Sequence, residues 1–345
     1  MERPNAATRS PRRLIISLVS FFSLLALSAT ACGSSPSSSS SSTPTATRGS
    51  GTVQVMYAGS LASIMEKQIA PAFQQSSGYT FAGEAKGSAA LANEIKGQLR
   101  RPDIFISASA GVDKQLMGAA NGKYVSWYIN FARSEMVIGY NASSRFASDF
   151  QAAASGSKPW YQVLGEPGLR LGRTDPALDP KGQATIYLLE LAEQYYKQPG
   201  LRQKILGSDE NASQVFPEEE LVSRLGAGQL DAGFFYVNEA KTAHLPYISL
   251  PDAVNLGSPA LATSYAKATW VNPKTHLTSK GAPIVYTITI PSTVKNSAGA
   301  LAFVDFLLSN QGQSLLQSNG LLSTPFVASG DAGAVPQSLQ KYIHT

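Results

Sequence analysis

The chain has 345 residues, of which 43% are hydrophobic and 15% are charged, so most of it can fold around a core. The formal net charge of +5 includes four arginines and one glutamate in residues 1–32, and the remaining 24 basic and 22 acidic residues nearly balance. A charge this small and this evenly spread excludes the basic footprint of a nucleic-acid-binding protein.

The first 32 residues have the pattern of an export signal. A basic stretch containing Arg12-Arg13 precedes an apolar segment, residues 14–27, which is short for a membrane span. Small residues then lead to Cys32, the only cysteine of the chain, so the folded part can form no disulfide. We predict a lipoprotein signal peptide over residues 1–32, with lipidation of Cys32. Ordinary secretion with an incidental cysteine is the alternative, and Arg12-Arg13 leaves twin-arginine export open.

Residues 33–51 are rich in serine, threonine and proline. Because such a composition cannot bury apolar surface, it predicts a disordered tether. A lipid on Cys32 and this tether together predict a protein anchored to the cell membrane on its extracytoplasmic face.

Strands and helices are predicted to alternate from residue 53 onward. Residues 53–57, 80–84 and 103–107 have the pattern of strands, and residues 61–75 and 89–99 that of helices. This alternation predicts an α/β fold with mostly parallel sheets flanked by helices. Ligands of such sheets bind beyond the carboxyl ends of the strands.

The alternation continues to the end of the chain. Further strands are predicted at residues 135–140, 169–173, 231–236 and 284–290. The helices predicted in this part cover residues 183–197, 218–225, 298–308 and 312–318.

Two Gly-Ser pairs stand where a strand gives way to a helix. Ser60 follows the first strand and Ser88 follows the second. The start of a helix presents unpaired N–H groups and the positive end of its dipole, so a serine there can form a seat for a small anion. The alternative is that both serines are ordinary helix N-caps.

A set of segments in a fixed order resembles the molybdate/tungstate-binding proteins of ABC importers, especially the tungstate-preferring branch. The resemblance covers nearly the whole chain after Gly51. The segments are YAGSL, KGSAA, RRPDIFISAS, WYINFARSEMVIGYN, RTDPALDPKG, LAEQYY, LGAGQLDAGFFY and GAPIVYTITIP.

The resemblance implies a two-lobed type II periplasmic-binding fold. The first lobe would comprise residues 52–135 and 291–345, and the second lobe residues 136–290. Two crossover strands, residues 136–140 and 285–290, would lie at the ends of the second lobe, and the lobes would close over a ligand by hinge motion.

The resemblance also implies the site. Ser60, Ser88 and Tyr236 would donate hydrogen bonds to the oxygens of the anion. Asp179 and Glu218 would bind the molybdenum or tungsten atom itself, as its fifth and sixth ligands.

The residues alone leave other interpretations open. Asp179 could form an Asx-turn before a proline, and Glu218 could belong to an acidic first helical turn, in which Glu219 or Glu220 could replace it as ligand. Tyr236 could be a core aromatic. Tyr286 is predicted to pack on its strand, and Lys181 to be solvated.

The predicted function is therefore that of a solute-binding lipoprotein that delivers tungstate or molybdate to an ABC permease. We expect a monomer, no cofactor and no nucleic-acid partner. A protein of the same fold that binds sulfate or phosphonate is the alternative. An enzyme is not expected, because no G-x-S-x-G, P-loop or H-E-x-x-H motif is present.

Overall fold

The structure is a computed structural model that describes residues 49–344. Within this part, twelve strands form three sheets. The strands are β1 (Thr52–Ala58), β2 (Thr80–Lys86), β3 (Ile104–Ser107), β4 (Trp127–Arg133), β5 (Met136–Tyr140), β6 (Leu171–Gly172), β7 (Ala232–Tyr236), β8 (Tyr247–Ser249), β9 (Thr269–Val271), β10 (Thr278–Lys280), β11 (Val285–Thr289) and β12 (Ala328–Gly330).

Helices connect most of these strands. The first helical region follows β1 directly and changes its winding from 3₁₀ (Gly59–Leu61) through α (Ala62–Ile64) and π (Met65–Ile69) to α again (Ala70–Ser77). None of the described helices is long and apolar enough to cross a membrane. The other α-helices are Ser88–Lys96, Ala110–Lys114, Ala147–Ala154, Trp160–Leu164, Pro180–Tyr196, Leu201–Leu206, Glu218–Gly226, Val237–Thr242, Asp252–Asn255, Ala262–Tyr265, Ser297–Leu308 and Asn310–Ser318; short 3₁₀ turns are Ala119–Asn121, Pro259–Leu261, Ala332–Ala334 and Gln337–Tyr342.

The first sheet has six strands in the order β12-β4-β11-β3-β1-β2. β1 is parallel to both β2 and β3, as the alternation of strands and helices predicts. Along β1 the amino-terminal half alternates between exposed and buried residues, whereas the carboxyl-terminal half is buried on both faces. The strand therefore ends inside the protein, where its terminal turn can help to form a site.

The second sheet has four strands in the order β6-β7-β5-β8, and β9 and β10 form a separate antiparallel pair. All five residues of β5 and of β7 are buried. β5 is antiparallel to β7 and β8, and only β6 pairs with β7 in parallel.

The sheets are mixed rather than mostly parallel. β11 runs antiparallel to both β3 and β4, and β12 runs antiparallel to β4. The physical reason is that the chain passes through the second sheet before it forms β11 and β12. These two strands then enter the first sheet from the end opposite to that at which β3 and β4 begin. Sequence alternation in the first hundred residues carries no information about that return.

The chain passes between the two sheets twice. It leaves the first sheet after β4 and enters the second with β5, only two residues later. The predicted second crossover strand, residues 285–290, coincides with β11, which pairs with β3 and β4 from Val285 onward; the lobe boundaries at residues 135 and 290 stay a prediction. β11 therefore belongs to the first sheet, because its position between two first-sheet strands provides hydrogen-bond partners on both edges.

Candidate functional site

Ser60 lies in the 3₁₀ turn that follows β1 and is only 5% exposed. Its side chain does not cap the helix. Instead, its Oγ accepts a hydrogen bond of 2.9 Å from the hydroxyl of Tyr286, and its carbonyl accepts one of 2.9 Å from Asn238 Nδ2. Because Oγ is the acceptor in the first bond, the hydroxyl proton of Ser60 remains available to a ligand.

Ser88 occupies an equivalent position after β2. It is the first residue of the Ser88–Lys96 helix and is fully buried, and the N-cap position belongs to Gly87. Its Oγ accepts a 3.1 Å hydrogen bond from the N–H of Ala108, which again leaves its proton free. The alternative that Ser60 and Ser88 are ordinary N-caps is therefore wrong.

Asp179 caps the Pro180–Tyr196 helix with only one of its two oxygens. Oδ1 accepts a 2.6 Å hydrogen bond from the N–H of Lys181, while Oδ2 is buried without a hydrogen-bond partner. The Asx-turn interpretation thus accounts for one oxygen and not for the other. Burial, and next the negative charge of Glu218, raise the pKa of Asp179 well above its ordinary value.

Glu218 begins the Glu218–Gly226 helix, and its side chain is 1% exposed. Both carboxylate oxygens are buried and form no hydrogen bond. The two neighbouring glutamates differ: Glu219 is exposed, and Glu220 pairs with Arg224 on the helix surface. Of the three acidic residues in this turn, Glu218 is the one that is buried.

The glycines of the two Gly-Ser pairs lie directly against the two acidic residues. A Cβ atom on Gly59 would stand 2.8 Å from Glu218 Oε2. A Cβ atom on Gly87 would stand 2.6 Å from the carbonyl oxygen of Leu178 and 3.2 Å from Asp179 Oδ2. Each turn of the first sheet thus lies close to one carboxylate, and only glycine permits that approach.

Lys181 is fully buried among acidic side chains, so the prediction of a solvated lysine is wrong. Its Nζ lies 2.7 Å from Glu239 Oε1 and 3.3 Å from Glu218 Oε1. Burial alone would lower the pKa of Lys181, but the charges of Glu239, Glu218 and Asp179 outweigh it and raise that pKa. The side chain is therefore a fixed positive charge. Its burial was not predictable, because Glu239 follows 58 residues later.

Two tyrosines complete this region. Tyr236, at the end of β7, is 1% exposed, and its ring meets that of Tyr286 edge-on at 6.1 Å. Burial raises the pKa of both hydroxyls, which therefore stay protonated and can donate hydrogen bonds. Tyr286 was predicted only to pack on its strand, yet it also donates to Ser60, 226 residues away.

Grooves open on both sides of Glu218. One, of about 300 Å³, is lined by Ser60, Glu218 and Glu239, and the other, of about 280 Å³, by Thr174, Asp179 and Glu218 among others. The Thr174 hydroxyl is also buried without a partner.

A larger groove, of about 940 Å³, runs along β1 from its amino end and beside the middle of β2, and its lining does not include Ser60, Asp179 or Glu218. Its buried acid, Asp103, is saturated by the N–H groups of Gln54, Lys295 and Asn296. The polar groups without partners therefore favour the smaller grooves beside Glu218 as the site.

An α/β protein with two mixed β-sheets, and with buried polar groups gathered between these sheets, has the architecture of a solute-binding protein. The sequence profile described as bacterial extracellular solute-binding protein matches residues 53–322. The chain belongs to this family. The resemblance to molybdate/tungstate-binding proteins, stated from the sequence, agrees with the names of two curated relatives.

Three curated relatives illustrate the similarity. An uncharacterized solute-binding protein of Petrotoga mobilis is 34% identical over 85% of this chain and 90% of its own length. A putative ABC transporter molybdenum-binding protein of Haloferax volcanii is 33% identical, covering 84% of this chain and 85% of its own. The molybdate/tungstate-binding protein WtpA of Pyrococcus abyssi is 29% identical, covering 83% and 88%.

Among solved structures, the periplasmic molybdate-binding protein of Azotobacter vinelandii superposes with a TM-score of 0.54. The match covers 79% of this chain and 99% of that one, at 16% identity. At this identity the likeness bears on the fold, and it confirms the predicted periplasmic-binding α/β fold.

Proposed function

We propose that this protein is an extracytoplasmic solute-binding lipoprotein that captures tungstate or molybdate between its two sheets and delivers it to an ABC permease. The observation that carries the proposal is the set of buried carboxylate oxygens without hydrogen-bond partners: Oδ2 of Asp179 and both oxygens of Glu218. A native fold rarely leaves such atoms unpaired unless a ligand completes them.

The division of the site into neutral and acidic groups suits this class of ligand. The free protons of Ser60 and Ser88 and the hydroxyl of Tyr236 would hydrogen-bond the oxygens of a tetrahedral anion. Carboxylates would repel that anion unless they bind its central atom. Molybdenum(VI) and tungsten(VI) can accept two further oxygen ligands, so Asp179 and Glu218 become favourable as the fifth and sixth ligands.

Sulfate is disfavoured by the same residues. Its central sulfur does not accept further oxygen ligands, so neither carboxylate would gain a bond from the doubly charged anion beside it. A sulfate- or phosphonate-binding protein of this fold is the second candidate, and it would need a hydrogen-bond partner for Asp179 Oδ2, which has none among the described residues.

A thermal-shift screen of the purified protein tests the ligand. Because a ligand that binds only the folded form raises the melting temperature, tungstate and molybdate are each expected to raise it, and sulfate, phosphate, phosphonate and chromate to raise it less. A larger shift with sulfate or phosphonate than with either metal oxide would contradict the proposal and favour the second candidate.

The membrane anchor rests on Cys32, which lies outside the described residues. In the proposal, lipidation of Cys32 and the tether of residues 33–51 hold the folded part near the permease, and the protein acts as a monomer. Cys32→Ser is expected to move the protein from the membrane fraction to the soluble fraction while leaving the tungstate-induced shift unchanged. Wild-type protein whose Cys32 carries no lipid by mass spectrometry would contradict a lipid anchor at this position.

A further inference from the structure

The acidic groups of the site share one buried positive charge. Asp179, Glu218 and Glu239 are all buried, and the ammonium of Lys181 lies 3.3 Å from Glu218 and 2.7 Å from Glu239. A doubly charged anion entering this region adds to a charge that is already negative. The affinity of the site should therefore depend on this buried cation more than on Lys67 and Lys86, which line the two grooves but are not buried.

We propose that Lys181 is a specificity-determining residue of the oxyanion site, because its charge holds the carboxylate of Glu218 in place and favours doubly charged anions over singly charged ones. This inference rests on the proposed function and names a residue that the resemblance does not include among the ligands.

The Lys181 ammonium has N–H donors that its hydrogen bond to Glu239 does not use. Glu239 Oε2 accepts a hydrogen bond of 2.8 Å from the N–H of Tyr236, and Oε1 accepts one of 2.7 Å from the ammonium of Lys181. An ammonium has three N–H donors, and Glu239 uses one. The others remain for Glu218, whose oxygens have no hydrogen-bond partner among the described residues.

The same network fixes Lys181 relative to the ligand-facing groups. Lys181 belongs to the first turn of the helix that Asp179 caps, so its backbone is held by Asp179 Oδ1. Its Nζ also lies 5.6 Å from the ring centre of Tyr236. The charge thus lies 3.3 Å from one of the two proposed metal-binding carboxylates and beside the ring of the proposed tyrosine donor, so it can act on both.

A purely structural role is the competing explanation, in which Lys181 serves only to neutralise Glu239. Two variants separate the explanations: Lys181→Met, and the double variant Lys181→Met/Glu239→Gln. Lys181→Met leaves Glu239 as an unpaired buried charge and should lower the melting temperature. In the double variant the glutamine oxygen can still accept from the N–H of Tyr236, so the part of the melting-temperature loss that comes from Glu239 should recover, while Glu218 stays without its cation.

Affinity should not recover with stability. For tungstate we expect a loss of about 10-fold or more in both variants, the size of a lost charge-assisted interaction. A double variant that melts like the wild type and binds tungstate with wild-type affinity would overturn the proposal, because Glu239 alone would then explain the lysine.

A second readout is independent of folding yield. Tungstate and perrhenate are tetrahedral anions of similar shape, but perrhenate carries one negative charge instead of two. Lys181→Gln keeps N–H donors and removes the charge, so the ratio of tungstate to perrhenate affinity is expected to fall about 10-fold. An unchanged ratio would overturn the proposal. A wild-type protein that binds neither tungstate nor molybdate would instead contradict the proposed function itself.

Discussion

The two sides of the site differ in the chemistry of their side chains. The first sheet contributes Ser60 and Ser88, which are neutral, and each already accepts one hydrogen bond from the protein. The second side contributes Asp179, Glu218 and Lys181, which are charged, and most of the carboxylate oxygens there lack hydrogen bonds. Each serine hydroxyl already has one hydrogen bond within the protein, whereas Asp179 Oδ2 and both oxygens of Glu218 have none.

This difference indicates where binding free energy arises. Neutral donors that are already positioned can bond an anion with little rearrangement, but they discriminate weakly among tetrahedral anions. Buried carboxylates without partners destabilise the unliganded protein, and a ligand that pairs with them recovers that free energy. In the proposed function, the acidic side therefore supplies selectivity and the neutral side supplies orientation.

The largest effect is expected when the acidic side is neutralised. Asp179→Asn and Glu218→Gln should each weaken tungstate binding by at least about 100-fold, the upper end of what loss of a supporting group costs at metal sites. Titration calorimetry measures this loss. At neutral pH the ligand-free Asp179→Asn protein should melt at the same or a higher temperature than the wild type, because burial disfavours the charged form of Asp179.

Glu219→Gln is the matched control for Glu218→Gln. It makes the same change of charge one residue further along, on an exposed side chain. We expect it to bind tungstate like the wild type. Equal losses in both glutamate variants would show that net charge, rather than the buried carboxylate, controls affinity.

A smaller loss is expected on the neutral side. Ser60→Ala and Ser88→Ala each remove one hydroxyl donor to a charged ligand, worth about 1.5–3 kcal/mol of binding free energy. The loss should be similar for tungstate, molybdate and sulfate, because a hydroxyl bonds the oxygens and does not sense the central atom. A loss confined to tungstate would contradict the division of roles between the two sides.

A smaller loss of tungstate affinity is expected when the two sides of the site are pushed apart. Gly59→Ala places a methyl group 2.8 Å from Glu218 Oε2, and Gly87→Ala places one 2.6 Å from the carbonyl of Leu178. We expect a loss of tungstate affinity of about 10-fold for each variant, corresponding to the 1–3 kcal/mol of typical overpacking. Gly226→Ala is the control, because its Cβ would meet nothing within 4 Å.

The sequence identified the parts of the site that depend on local pattern. Ser60 and Ser88 follow from strand–glycine–serine–helix order, and Asp179 and Glu218 from short segments at helix starts that resemble a known family. The structure buries all four, and the glycines before the serines touch the two acidic residues. Their role as ligands stays a prediction.

The parts that depend on distant contacts could not be predicted in the same way. Tyr286 reaches Ser60 across 226 residues, and Lys181 is buried only because Glu239 and Glu218 converge on it from other helices. The antiparallel direction of β11 has the same origin, since it depends on the path by which the chain returns to the first sheet. Periodicity along one segment does not encode which segments meet.

The smallest effect on binding is expected from a buried acid outside the site. Asp113 lies in the Ala110–Lys114 helix, where one oxygen accepts a 2.6 Å hydrogen bond from Thr287 and the other has no partner. Burial raises the pKa of its carboxyl to about 7, although the hydrogen bond from Thr287 opposes the rise. The folded protein thus holds this proton in a pH range where the unfolded chain has released it, from about 4 to about 7.

The folded state therefore loses stability as the pH rises through this range. Asp113→Asn should remove the loss, so that the variant is more stable than the wild type above pH 7, by up to about 4 kcal/mol, and similar to it near pH 4. Denaturant unfolding at several pH values measures this, with exposed Asp331→Asn as the control. Tungstate affinity at pH 7 should change less than about twofold. A large loss of tungstate affinity in Asp113→Asn would mean that an acid beneath the first sheet also acts on the ligand, and the contrast between a neutral and an acidic side would fail.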